Sequence, residues 1–77
     1  MNKKRRIKIS EIGKTLEDCA CKIEDVLDEE KEAMENVPEG LQESERYSSM
    51  EQCVDLLSDA LDGVQEASNR LTEVLEL

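Results

Sequence analysis

Two ladders of apolar residues, each stepping by three and four, constrain this chain more than any other feature. The first reads Ile9, Ile12, Leu16, Cys19, Ile23, Val26, Glu30, Ala33, Val37, and only Glu30 interrupts its apolar character. The second reads Tyr47, Met50, Val54, Leu57, Leu61, Val64, Ser68, Leu71, Leu75, with Ser68 as its polar member. Steps of three and four are the seven-residue repeat of helices that bury one stripe against a neighbouring helix. A second stripe flanks each ladder: Gly13, Ala20, Leu27, Met34 in the first half and Cys53, Ala60, Ala67, Val74 in the second. Each apolar face is therefore wider than a two-stranded seam requires.

The ladders are separated by ENVPEGLQESER, residues 35–46. Pro38 disfavours helix at Val37, because the residue before proline is pushed to extended geometry. Gly40 is free to take the left-handed conformation of a tight reversal. Ser44 suits an N-cap with Glu45 behind it, and Ser48 with Glu51 offers a capping-box spacing for a later start. The pattern predicts helix 1 over about 8–36, a linker over about 37–43 and helix 2 over about 44–76. So short a linker makes the helices antiparallel neighbours. Matching the ladders across it pairs positions whose numbers sum to about 84, such as Ile9 with Leu75 and Ile23 with Leu61. The expected fold is all-α: one domain over residues 1–77, an antiparallel two-helix hairpin that self-associates into a four-helix bundle or a larger helical oligomer.

Composition agrees with this reading. Charged residues make up 39 % of the chain, and its aromatic content is a single tyrosine. Acidic chains poor in aromatics are often disordered, but the unbroken periodicity argues for folded helices. At 77 residues a core is small enough that oligomerisation commonly supplies the missing burial. No apolar run is long enough to span a bilayer. The basic start is not followed by the apolar stretch of a signal peptide. The expected location is the cytoplasm, with no membrane partner. Cys19, Cys21 and Cys53 fit free thiols: the register places Cys19 and Cys53 about eleven residues apart along the axis, roughly 16 Å at the helical rise, too far for a disulfide.

The formal charge is −10, yet the first ten residues, MNKKRRIKIS, hold five basic side chains and no acidic one. Cations at a helix N-terminus oppose the helix dipole. Antiparallel pairing offers a reason for them, since it brings Arg5, Arg6 and Lys8 beside Glu73, Glu76 and the terminal carboxylate. Direct nucleic-acid binding is not expected, because residues 15–77 hold four basic side chains against nineteen acidic ones and repel a duplex.

No histidine is present to act as general base, and no phosphate loop, nucleophile elbow or zinc motif occurs. An enzyme is not expected, and neither is a cofactor or metal. Two binding surfaces stand out instead. Carboxylates at helical spacing, such as Asp55, Asp59 and Asp62, lie about 5–6 Å apart, close to phosphate spacing, so an acidic helix face can imitate nucleic acid toward another protein. The second surface is LQESERYSS, residues 41–49. Arg46 is a bidentate donor for phosphate or carboxylate, Tyr47 is a stacking platform, and Gln42 and Ser44 are polar orienters beside the anion-binding start of helix 2. The plain alternative is loop packing, with Ser44 as cap and Arg46 paired to Glu43 or Glu39.

The linker Pro38, Glu39, Gly40, Leu41, Gln42, Glu43, Ser44, Glu45, Arg46, Tyr47 has the form P-E-x-L-Q-x-S-E-R-Y, followed by Met50, Glu51, Asp55 and Leu57. With its basic start and acidic first helix, the chain resembles small acidic helical proteins encoded by phages and prophages of Gram-positive bacteria. Small phage proteins of this build include inhibitors of bacterial defence, such as anti-CRISPR proteins and oligomeric sponges for nucleotide immune signals. The resemblance implies a non-enzymatic binding protein that inhibits a host defence component by sequestering a nucleotide signal. Its alternatives are an acidic nucleic-acid mimic that blocks a defence protein, and a structural coiled-coil protein. The partners so implied are further copies of the chain and a host defence protein or nucleotide signal.

Overall fold

The computed structural model describes residues 1–77. It is a helical hairpin of α1 (Lys3–Glu35) and α2 (Glu45–Glu76), joined by a single 3₁₀ turn at Glu39–Leu41, and it contains no strand. The two helices lie side by side as a rod measuring 60 × 14 × 14 Å. No helix is long and apolar enough to cross a membrane.

Helix α1 begins at Lys3, well before the expected start near residue 8. The cause is Asn2, whose extended backbone and side-chain oxygen make it an N-cap: the Arg5 backbone N–H donates to Asn2 Oδ1 at 2.8 Å. At its other end α1 stops at Glu35, one residue short of the expected limit and three before Pro38. The Val37 N–H folds back to the Met34 carbonyl at 3.1 Å. The reversal itself differs from expectation. No glycine has a positive φ, so Gly40 does not supply a left-handed residue. Instead Pro38 is extended, and Leu41 and Gln42 donate to the carbonyls of Pro38 and Glu39 in a 3₁₀ turn. Ser44 then caps α2, accepting from the Tyr47 N–H at 3.2 Å while its own hydroxyl donates to the Leu41 carbonyl. The later start at Ser48 is not used.

The seam of α2 is the ladder read from the sequence, from Tyr47 through Leu75, each member half-buried. The seam of α1 is rotated from the expected one. It runs Ile9, Gly13, Leu16, Ala20, Ile23, Leu27, Glu30, Met34, Val37. Ile12, Cys19, Val26 and Ala33, expected in the seam, are exposed, and the flanking stripe containing Leu27 takes their place. Leu27 is the one fully buried residue, 5 % exposed, whereas its neighbour Val26 is 46 % exposed. The expected register holds in outline. Ile9, Gly13, Leu71 and Leu75 line one groove, and Ala33, Val37, Tyr47 and Met50 line another.

The basic tip does not form the expected ion pairs. The ion pairs of the hairpin are Arg70 with Glu66 and with Glu73, within α2. Arg6 instead donates to the backbone carbonyl of Leu75. The last four carbonyls of a helix have no partner within it and carry the negative end of its dipole. Arg6 satisfies one of them, so the tip meets the end of α2 through the backbone and not through carboxylates. All three cysteines are free and exposed.

Candidate functional site

The 3₁₀ turn and the cap at Ser44 hold a cleft open at the turn end of the hairpin. Its volume is about 510 Å³. It is lined by Val37, Pro38 and Leu41 of the linker, by Tyr47 and Met50 of α2, and by Ala33 and the cap residue Asn36 at the end of α1. Ser44 and Arg46 supply polar groups at its rim. The placement follows from the first turn of α2. Ser44 is fixed by its two hydrogen bonds, and this orients Tyr47, three residues on, into the seam. Arg46 precedes Tyr47 by one position and therefore emerges about 100° around the helix, where it is exposed.

Three of the four residues expected in a site, Ser44, Arg46 and Tyr47, line this cleft. Gln42 does not: its amide donates back to the Val37 carbonyl at 3.4 Å and braces the turn. Arg46 forms no ion pair with Glu39 or Glu43, so its guanidinium is free. The apolar lining of Val37, Pro38, Leu41 and Met50 was not picked out from the sequence. Leu41 carried a signal, as an apolar residue off both ladders and 57 % exposed in the hairpin.

The two sides of the rod differ in chemistry. On one side Val26 and Glu30 of α1 and Cys53, Leu56 and Leu57 of α2 line a shallow, mostly apolar depression. Ile12, Cys19 and Ala33 continue the line of Val26 every seven residues, and Ala60 and Ala67 continue that of Cys53. Ala33 and Arg46 belong to the turn cleft as well, so the cleft is the end of this apolar side. On the opposite side a polar groove is lined by Glu17, Glu24, Gln65 and Asn69. Asp55, Asp59 and Asp62 are exposed on the outer surface of α2 and have no cation partner. Nowhere do three or more His, Cys, Asp or Glu side chains converge as ligands for a metal ion.

Comparison with protein-family models, with curated proteins and with solved structures finds no match to this chain.

Proposed function

We propose that the chain is a non-enzymatic binding protein that inhibits a host defence component, and that the turn cleft takes an anionic, ring-bearing ligand of the nucleotide class. The observation that carries this reading is the meeting of Arg46 and Tyr47 in one cleft. Tyr47 is the only aromatic residue of the chain, and it shares the cleft with an unpaired guanidinium and a capped helix start. A base stacks on a phenol ring, and a phosphate accepts from a guanidinium in bidentate fashion. The counter-defence role rests on the likeness of the linker to small phage proteins. Native mass spectrometry and calorimetry with cyclic nucleotides and ADP-ribose test the reading. It expects one ligand retained per cleft, and affinity reduced at least about tenfold by Arg46→Ala or Tyr47→Ala. Binding unchanged in both variants, or none to any nucleotide, overturns it.

A second reading is supported by a separate observation, the unpaired row Asp55, Asp59 and Asp62. An acidic ridge of this spacing can occupy the nucleic-acid groove of a defence protein. That reading expects charge reversal at the three positions to abolish inhibition and added salt to weaken it steeply. Inhibition that survives both changes removes it.

A further inference from the structure

The hairpin leaves one long apolar side uncovered while burying a single residue of its 77 completely. Ile12 is 50 % exposed, Val26 46 % and Leu56 68 %. A whole face of the rod, 60 Å long and 14 Å wide, has an outline on the order of 800 Å², comparable to one partner's share of a standard stable interface between two proteins. Its middle is made of apolar and small side chains along both helices, with Arg70 further along the line of Leu56 and Gly63, so the matching occupant is another surface of the same shape and periodicity. A second copy supplies one.

Two face-to-face arrangements have two-fold symmetry. In the first, both turns lie at the same end, and α1 of each copy faces α2 of the other. In the second, the turns lie at opposite ends, and each α1 faces the other α1 running antiparallel. Charge decides between them. One end of the rod carries Lys3, Lys4, Arg5, Arg6 and Lys8 against Glu73 and Glu76; the other carries Glu32, Glu35, Glu39, Glu43 and Glu45 against Lys31 and Arg46, so the two ends are of opposite net sign. The first arrangement places like ends together. The second places every basic tip against an acidic turn, and complementary potentials of this kind fix the orientation of association.

We infer that two copies associate through the apolar side in the antiparallel arrangement, and that the basic tip of each completes the turn cleft of the other. Centring the rods sets Cys19 of one copy opposite Val26 of the other, and Ile12 opposite Ala33. On α2 the small residues Ala60 and Gly63 meet at the middle, where the absence of bulk allows close approach. At the ends, Lys4 and Arg5 of one copy arrive at the linker of the other, beside Arg46. This accounts for the tip. Arg6 is engaged within its own hairpin by the Leu75 carbonyl, while Lys3, Lys4, Arg5 and Lys8 have no carboxylate partner there. It also remedies a weakness of the cleft, since Arg46 alone stands among Glu39, Glu43 and Glu45. The tip's part in holding an anion rests on the proposed function; the arrangement of the dimer does not.

Charge exchange and cross-linking test the arrangement without any ligand. In sedimentation at micromolar concentration the chain is expected to be a dimer. Lys3→Glu, Lys4→Glu and Arg5→Glu together are expected to weaken it about tenfold or more, as are Glu39→Lys and Glu43→Lys. Combining the two sets is expected to restore it. The tip and the turn are at opposite ends of one 60 Å rod, so restoration cannot arise within a copy. In a Cys21→Ser, Cys53→Ala background, Val26→Cys is expected to give a covalent dimer with Cys19 on mild oxidation. Residues 19 and 26 of one helix are about 10 Å apart along it and cannot bridge. A monomer, an unrestored charge exchange, or bridging of Cys19 to Ala67→Cys in place of Val26→Cys overturns the arrangement. An intact antiparallel dimer that retains no nucleotide overturns only the reading of the cleft.

Discussion

Arg6 donates to the carbonyl of Leu75, so the first turn of α1 closes the last turn of α2 across 69 residues of sequence. Neither turn is favourable by itself. The first turn of α1 has no acidic residue and a run of cations, and the last turn of α2 has no basic residue. Each charge set opposes the dipole of its own helix. The antiparallel hairpin brings the unfavourable cations of one helix to the unsatisfied carbonyls of the other, so the conflict is resolved in tertiary structure. Arg6→Ala is therefore expected to destabilise the hairpin by about 1 kcal/mol and to raise amide exchange selectively over residues 71–77. Uniform exchange along α2 in that variant contradicts this role.

Leu27 and Val26 are adjacent in sequence and opposite in circumstance. Leu27→Ala removes the one buried side chain and is expected to cost about 2–3 kcal/mol, read as a lower denaturation midpoint at any protein concentration. Val26→Ala removes a half-exposed side chain on the uncovered side. Its effect within one hairpin is expected to be under about 0.5 kcal/mol, with any larger loss shrinking toward that value as the protein is diluted and the dimer dissociates. Equal, concentration-independent losses at both positions contradict the assignment of their faces.

The difference between these neighbours also marks how far the sequence could be read. The hairpin follows from the ladders and from Pro38, and the seam of α2 was legible because Val54, Leu61 and Leu75 are bulkier than Cys53, Ala60 and Val74 of the flanking stripe, while Met50, Leu57, Val64 and Leu71 serve as the other row in either case. In α1 two adjacent stripes are both apolar, Ile12-Cys19-Val26-Ala33 and Gly13-Ala20-Leu27-Met34. They are about 100° apart on the helix, and only the approach of α2 selects between them. The loop shows the same limit. Pro38 and Gly40 signal a reversal, but a 3₁₀ turn and a left-handed glycine both satisfy that signal, and the hydrogen bonds of Leu41 and Gln42 decide for the former. Arg46, Tyr47 and Ser44 were legible as a cluster because they share one turn of helix. The apolar lining that Val37 shares with Met50 was not, because it needs the linker folded back beside α2.

Glu30 occupies a seam position between Leu27 and Met34 and is half-buried without an ion-pair partner. It interrupts an otherwise apolar ladder beside Cys53 and Leu57. Glu30→Leu is expected to stabilise the hairpin by about 1 kcal/mol, read by urea denaturation at fixed protein concentration. A loss of stability shows instead that the carboxylate is held by an interaction outside the hairpin.

Ser44 serves both the fold and the cleft. Ser44→Ala removes the acceptor of the Tyr47 N–H and is expected to cost about 1 kcal/mol. Ser44→Asp keeps an acceptor at the cap and is expected to retain most of that stability. Its added negative charge beside Arg46 is expected to weaken any anion bound in the cleft. Helix content and ligand affinity should thus separate in the Asp variant and fall together in the Ala variant.

Gly13 and Gly63 give the same substitution two different outcomes. A Cβ built at either position meets nothing within 4 Å, so alanine fits the hairpin at both. In a helix interior alanine is favoured over glycine by about 1 kcal/mol, and both variants should raise the stability of the single hairpin by that order. Gly13 lies in the seam, where the gain is expected to persist at every protein concentration. Gly63 lies on the side assigned to the second copy, near the centre of the antiparallel arrangement, where a methyl group stands between two close helices. Gly63→Ala is therefore expected to stabilise the dilute hairpin while weakening dimerisation several-fold, read by thermal melts across a concentration series together with sedimentation. Identical gains from both substitutions at every concentration place Gly63 away from the interface.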